Sequence, residues 1–166
     1  MKLGFQVLTK IQKPLEEVFD NVHDPDKLSG YFTTGGASAP LHEGTTVQWA
    51  FADNPGDEKK SFPVRVEKVI PNELIVLGWE GAEGLDTSVR FDFEQTGPDE
   101  TLVKIAESGW RETQDDLDRS YMNCYGWAQM LMCLKAYAEH GINLRKGAYT
   151  GLFQSDENAG TASAGE

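Results

Sequence analysis

The sequence predicts an α+β domain in which a six-stranded antiparallel sheet packs against one long C-terminal helix. Six segments carry apolar residues at every second position, which is typical of half-buried strands. The connections between the last five segments are short turn clusters, so neighbouring strands must run antiparallel. After Trp110 the apolar period becomes helical over about residues 113–139.

The chain starts with a strand and two short helices. Apolar and polar residues alternate over residues 3–11. Pro14 then favours a helix start, because its fixed φ suits the first turn. Asp24 and Pro25 provide a cap and a first-turn proline for a second, shorter helix that ends near Leu28. Glycines and Pro40 indicate a loop after it.

Five further strands follow this loop. Their apolar positions are Val47, Trp49 and Phe51; Phe62, Val64 and Val66; Leu74 to Trp79; Val89, Phe91 and Phe93; and Val103 and Ile105. No segment between them is long enough to be a crossover helix, which excludes a parallel fold of the Rossmann or barrel type.

The last helix has apolar residues on more than one face, and Gly141 is expected to end it. Projection at 100° per residue predicts that one face lies on the sheet: Leu117, Tyr121, Cys124, Ala128, Leu131 and Ala138. The opposite arc contains Met122, Met130, Cys133 and Tyr137. Because apolar surface of this kind is unusual, we expect a homodimer that buries this outer arc.

Residues 1–150 are predicted to form one domain, and residues 151–166 an acidic, disordered tail. The formal net charge of −12 opposes binding to nucleic acid or to anionic membrane. No apolar run approaches the ~20 residues of a membrane span. With no signal peptide and two cysteines too far apart to pair, we expect a cytoplasmic protein.

Three segments carry a resemblance to a known family: residues 62–79, residues 105–110 and the pair Gly126-Trp127. With the element order, they resemble the helix-grip fold of the START-like, or SRPBCC, superfamily, in the branch related to the activator of heat-shock protein 90 ATPase. The resemblance covers about residues 3–145. It implies a sheet curled around the long helix, with a cavity between them that holds apolar or amphipathic small molecules.

Glu107 is the most informative polar position. Strand parity places it on the side of Val103 and Ile105, facing the helix. Inward carboxylates are typical of general acids and of ligand anchors. The alternative is a structural carboxylate that pairs with an arginine or reaches water at the strand end. The residues expected to line the ligand site are Trp49, Phe51, Trp79, Glu107, Tyr121, Tyr125 and Ala128.

The expected function is binding of an apolar or amphipathic small molecule. One alternative is an enzyme of the polyketide cyclase or hydrolase type with Glu107 as acid or base. The other is a co-factor that activates a chaperone ATPase, ranked lowest because the activator's name refers to one domain of a larger eukaryotic protein. No cofactor or metal is expected, since the three histidines lie in separate connections and no glycine-rich phosphate loop precedes a helix.

Overall fold

A computed structural model of the chain describes residues 2–54, 56 and 58–152. Within these residues the elements are β1 (Leu3–Ile11), α1 (Leu15–His23), α2 (Pro25–Ser29), β2 (Gly36–Ala37), β3 (Thr46–Phe51), β4 (Lys60–Ile70), β5 (Leu74–Ala82), β6 (Leu85–Gly97), β7 (Glu100–Trp110) and α3 (Gln114–His140). The predicted α+β helix-grip architecture is confirmed. The sheet has seven strands instead of six, because β2, expected to be loop, pairs with β3.

The described strands form one sheet in the order β1-β7-β6-β5-β4-β3-β2. Every neighbouring pair is antiparallel, as predicted. The helices α1 and α2 therefore carry the chain from one edge strand, β1, to the other, β2. Register shifts between Val66 and Lys68 and between Glu80 and Ala82 interrupt the pairing of β5 with its two neighbours. Such bulges increase the local twist, which helps the sheet to curl around α3.

The helix α3 has well-defined ends. The Thr113 side chain accepts a hydrogen bond from the Asp116 amide at 3.2 Å, which caps the first turn. Gly141 adopts a left-handed conformation with φ of 67°, and its amide donates to the Tyr137 carbonyl at 2.8 Å. Glycine takes this conformation without the steric penalty of a Cβ atom, so the predicted stop at Gly141 is the observed one.

The predicted inner face of α3 is confirmed at Leu131 and Ala138, which lie in the core, and is wrong at Tyr121. Tyr121 is 62% exposed, whereas Trp127 and Leu134 lie in the core. Apolar residues surround this helix, so periodicity alone does not define its buried side. The packing of Trp127 between sheet aromatics decides it.

The predicted dimer arc is wrong for the same reason. Met130 and Cys133 are 1% and 8% exposed and belong to the core, and Tyr137 packs against Tyr31. Met130 and Cys133 are therefore unavailable to a second copy of the chain, and Tyr137 is half-buried against the core. Of the four residues assigned to this arc, Met122 is well exposed.

No helix in the described part of the chain is both long and apolar enough to cross a membrane. The expectation of a disordered tail over residues 151–166 falls outside the described residues, apart from a turn at Gly151 and Leu152. The domain boundary near residue 150 remains a prediction.

Candidate functional site

An open cavity of about 360 Å³ lies between α3, the β3–β5 part of the sheet and the segment that follows α3. Seven of its lining side chains are aromatic: Phe32, Phe51, Phe62, Trp79, Tyr125, Trp127 and Tyr149. The other lining residues are Asp53, Met122, Asn123, Gly126 and Arg145. The cavity is therefore largely apolar, with a few polar groups at its wall.

The sheet side of the cavity is a connected series of rings. Phe51, Phe62 and Trp79 come from three adjacent strands, β3, β4 and β5. Ring centroids are 5.6 Å apart for Phe51 and Phe62, 5.4 Å for Phe62 and Trp79, and 5.3 Å for Trp79 and Trp127 of α3. These separations lie in the range that aromatic pairs prefer. The rings therefore support one another and form a continuous wall.

Glu107 lies behind this wall and is 1% exposed. Its Oε1 accepts from Trp79 Nε1 at 2.9 Å and from Thr87 Oγ1 at 2.7 Å. Its Oε2 accepts from Trp127 Nε1 at 2.8 Å. The Asn123 amide donates to both oxygens, at 3.2 and 3.3 Å. Four uncharged donors from β5, β6 and α3 thus converge on one carboxylate.

This arrangement satisfies a buried carboxylate without an ion pair. A buried anionic group is costly unless hydrogen bonds replace its hydration. No lysine or arginine among the described residues pairs with Glu107, so the expected arginine partner is absent there. The inward direction predicted from strand parity is correct. The result is that one carboxylate fixes the orientation of two indoles, Trp79 and Trp127, that line the cavity.

A glycine makes room for these contacts. A Cβ atom at Gly81 would collide with the Thr87 side chain and come within 3.1 Å of Glu107 Oε1. Residue 81 must therefore lack a side chain if Thr87 is to reach the carboxylate.

The opposite side of the cavity is closed by an ion pair. Arg145 Nε lies 2.9 Å from Asp53 Oδ1, and Arg145 Nη2 lies 2.8 Å from Asp53 Oδ2. Both side chains are mostly shielded from solvent, at 13% and 19% exposure. Such bidentate pairing fixes the plane of the guanidinium as well as its position.

Aromatic rings surround the same guanidinium. Its carbon lies 4.7 Å from the Phe51 ring centroid, 4.8 Å from that of Tyr149 and 5.5 Å from that of Phe32. These distances favour cation–π attraction. Burial raises the pKa of the Tyr149 phenol above its ordinary value.

Arg145 and Tyr149 belong to residues 141–152, which we call the C-terminal strap. After Gly141 the strap folds back over the cavity and contacts the end of β3. The Gly151 amide donates to Asn54 Oδ1 at 2.7 Å, and Thr150 Oγ1 donates to the Asp53 carbonyl at 3.3 Å. With the Arg145–Asp53 pair, these bonds hold the strap at two points.

The structure brings some of the predicted site residues together and separates others. Phe51, Trp79 and Tyr125 lie on the cavity wall, and Glu107 lies directly behind it. The other three predicted residues do not line the cavity. Trp49 lies too deep in the core, and the orientation of α3 turns Tyr121 and Ala128 away from the cavity wall. Trp49 is fully buried, Tyr121 points to solvent, and the half-buried Ala128 is not among the lining residues.

Other lining residues were missed by the sequence analysis. The sequence places Phe62 in a predicted strand and Trp127 in the Gly126-Trp127 pair of the family resemblance, without a role for either at the site. Asp53 and Arg145 lie in connecting segments, where no periodicity indicates which side chains meet. No group of three or more histidine, cysteine, aspartate or glutamate side chains in the described part of the chain is placed to hold a metal ion.

The family comparison covers most of the chain. The model of a family described as Activator of Hsp90 ATPase homolog 1-like protein matches residues 12–139. A search of curated proteins finds no significant match.

Solved structures show the same fold. Protein SSP2350 from Staphylococcus saprophyticus is 26% identical, with a TM-score of 0.68 over 85% of this chain and 96% of that chain. The Aha1 dimer from Colwellia psychrerythraea is 24% identical, with a TM-score of 0.67 over 84% and 98%. DynU16, a protein in the dynemicin biosynthetic locus, is 23% identical, with a TM-score of 0.69 over 83% of this chain and 48% of that one. At such identities the last two support the fold alone.

Proposed function

The chain belongs to the family of Activator of Hsp90 ATPase homolog 1-like proteins, and from this premise we propose that it binds a small apolar or amphipathic molecule in the aromatic cavity. The cavity is the observation that carries the proposal. Its volume of about 360 Å³ lies within the range of small-molecule sites, which is roughly 300–1,000 Å³. Its mixture of many aromatic rings and few polar groups is also typical of such sites.

The geometry favours a ligand with a flat apolar body. Trp79 and Trp127 are held in place by Glu107, and Phe51 and Phe62 stack with an interplanar angle of 10°. Rings that are already oriented lose little conformational entropy when a ligand packs against them. A planar molecule gains most from such surfaces, because it can stack on one ring and meet the edge of another.

The same geometry argues for a positioning role of Glu107 in place of acid–base chemistry. A general acid or base must reach the proton that it transfers, directly or through one water. Glu107 is not among the lining residues, and both of its oxygens accept hydrogen bonds from the protein. We therefore favour binding over the cyclase or hydrolase alternative.

Native mass spectrometry of the gently purified protein tests the proposal. We expect a reproducible additional mass that is released on denaturation. Gly126→Leu is the matched blocking variant, because a Cβ at this lining position meets no atom within 4 Å and its side chain would occupy open space. Gly126→Ala is the control that leaves most of the volume free. An additional mass that persists in Gly126→Leu would contradict the cavity as the binding site.

We also infer that the exposed face of α3 binds a second copy of the chain, through residues other than those first predicted. Four large apolar side chains on this face are 44–62% exposed: Tyr121, Met122, Tyr125 and Met132. The related structure from C. psychrerythraea is a dimer. A closed two-fold contact would bury this face once in each protomer.

Light scattering tests this dimer. Met132→Glu should convert a dimer to a monomer, because it places a charge in an apolar contact. The control, Leu8→Glu, alters a side chain that is 57% exposed on β1 and should leave the dimer intact. A wild-type protein that is monomeric at micromolar concentration would refute the proposal.

A further inference from the structure

The polar end of the cavity is built around Arg145. The described residues that line the cavity include two charged side chains, Arg145 and Asp53. Asp53 is paired with the guanidinium, since each of its carboxylate oxygens accepts a hydrogen bond from it. Whether either charged group can bind a ligand depends on the hydrogen-bonding capacity that it retains.

The guanidinium retains hydrogen-bonding capacity. It has five N–H groups, and Asp53 receives one from Nε and one from Nη2. No acceptor among the described residues hydrogen-bonds to Nη1. The edge formed by Nη1 and Nη2 thus presents two parallel N–H donors. A carboxylate can accept both of these hydrogen bonds, in the same bidentate manner in which Asp53 accepts from the Nε–Nη2 edge.

The surroundings hold this edge in place. Phe51 and Tyr149 lie close to the guanidinium, and Asp53 fixes its plane. A ligand group would therefore meet a donor pair whose orientation is already set. Preorganisation of this kind raises affinity, because little side-chain entropy is lost on binding. The same rings border the apolar space where the body of the ligand would lie.

We propose that Arg145 selects the ligand by its carboxylate, so that the cavity takes a planar apolar acid whose carboxylate pairs with the Nη1–Nη2 edge. The proposal rests on the proposed small-molecule function and names the chemical class of its ligand. It favours an anion over an organic cation. Both Asp53 oxygens already pair with a cation, and the position beside the rings of Phe51 and Tyr149 is filled by the guanidinium.

A matched pair of probes tests the choice of ligand class. 2-Naphthoate and 2-naphthamide have the same planar body, but only the first is an anion at neutral pH. The indole N–H signals of Trp79 and Trp127 in ¹H–¹⁵N NMR titrations report binding at the wall. We expect 2-naphthoate to bind at least ~10-fold more tightly, since hydrogen bonds to charged groups contribute more than neutral ones.

Two variants assign this preference to one residue. Arg145→Gln should bind both probes with similar affinity. Lys146→Gln removes an equal charge from the adjacent, exposed residue and should keep the wild-type preference. If Lys146→Gln abolishes the preference as well, overall charge explains it and the inference is wrong. If Arg145→Gln no longer binds 2-naphthamide, the comparison is made with Arg145→Lys instead. A preference for 2-naphthoate in Arg145→Lys that is as large as in wild type also overturns the inference.

The wild-type result separates the two proposals. Equal affinity for the two probes would overturn the role of Arg145 and leave small-molecule binding supported. Failure of both probes to shift the indole signals would count against both. A carboxylate preference that disappears in Arg145→Gln, with binding of the amide retained, would establish both.

Discussion

Trp127 Nε1 of α3 lies 2.8 Å from Glu107 Oε2 of β7, and this bond joins the long helix to the sheet at the cavity wall. The bond fixes one indole, and Trp79 bonds to the other oxygen of the same carboxylate. The shape of the cavity therefore depends on a residue that does not line it. The stability of the helix–sheet contact and the order of the wall should change together when Glu107 changes.

Glu107→Gln should destabilise the protein by about 2 kcal/mol, because the new amide places a donor against an indole or hydroxyl donor and leaves buried groups unsatisfied. Thr87→Val is the matched control and removes one of the four donors at a cost of about 1 kcal/mol. Urea unfolding measures both, and near-UV circular dichroism reports the indoles. A smaller effect for Glu107→Gln than for Thr87→Val would contradict the role assigned to the carboxylate.

Gly126→Ala should stabilise the protein by about 0.5–1 kcal/mol, because alanine loses less backbone entropy than glycine in a helix. The added Cβ meets no atom within 4 Å, so no clash offsets the gain. The melting temperature should rise by about 1–4 °C. Gly81→Ala is the opposing control and should destabilise by about 1–3 kcal/mol, since its Cβ collides with Thr87. Calorimetry that found the two changes alike would refute this interpretation.

Glu100, the first residue of β7, should make the stability of the protein depend on pH. Hydrogen bonds from Lys10, Gln12 and Thr96 lower the pKa of this carboxyl from 4.5 to about 2. A carboxyl whose pKa is lower in the folded state stabilises the protein above its unfolded pKa. That contribution is complete above pH 4.5 and is lost as the pH falls from 4.5 to 2.

Thermal unfolding as a function of pH tests this dependence. Glu100→Gln should melt below wild type at pH 7, and the two melting temperatures should converge as the pH approaches 2. A constant difference across this range would show that charge is not the cause.

Asp53→Asn should loosen the C-terminal strap, because it removes the anionic partner of Arg145. Hydrogen bonds to charged groups contribute about 1.5–3 kcal/mol, so hydrogen exchange at the Gly151 amide should accelerate about 10-fold or more. Lys146→Gln, in the same strap but outside the pair, should leave this exchange unchanged. Unaltered protection in Asp53→Asn would show that the Arg145–Asp53 pair does not hold the strap.

Much of the fold could be predicted from local patterns. The alternation of apolar and polar residues predicted the longer strands, and Gly141 marked the end of α3 correctly. β2 was missed because two residues carry no period. The buried side of α3 was predicted correctly at Leu131 and Ala138 but not at Tyr121, because apolar residues surround the helix. The packing of Trp127 among the rings of Phe32, Trp79 and Phe91 selects the side that is buried.

The site was only partly predictable. Strand parity placed Glu107 inward, but its partners come from three elements whose register the sequence does not give. Arg145 and Asp53 are 92 positions apart and lie in connecting segments. Their meeting depends on the path of the strap, which follows no periodic pattern.

The strap also determines when the cavity can form during synthesis. β1 pairs with β7 in a register that joins Leu3 to Trp110. About a hundred further residues must therefore be synthesised before β1 can pair. The bonds from Arg145 to Asp53 and from Gly151 to Asn54 join residues that are almost as far apart in the chain. Contacts between such distant parts of a chain form slowly, since a large loop must close first. On the ribosome, the cavity is therefore completed only after α3 and the strap have emerged, and a nascent chain halted before Arg145 lacks this side of it.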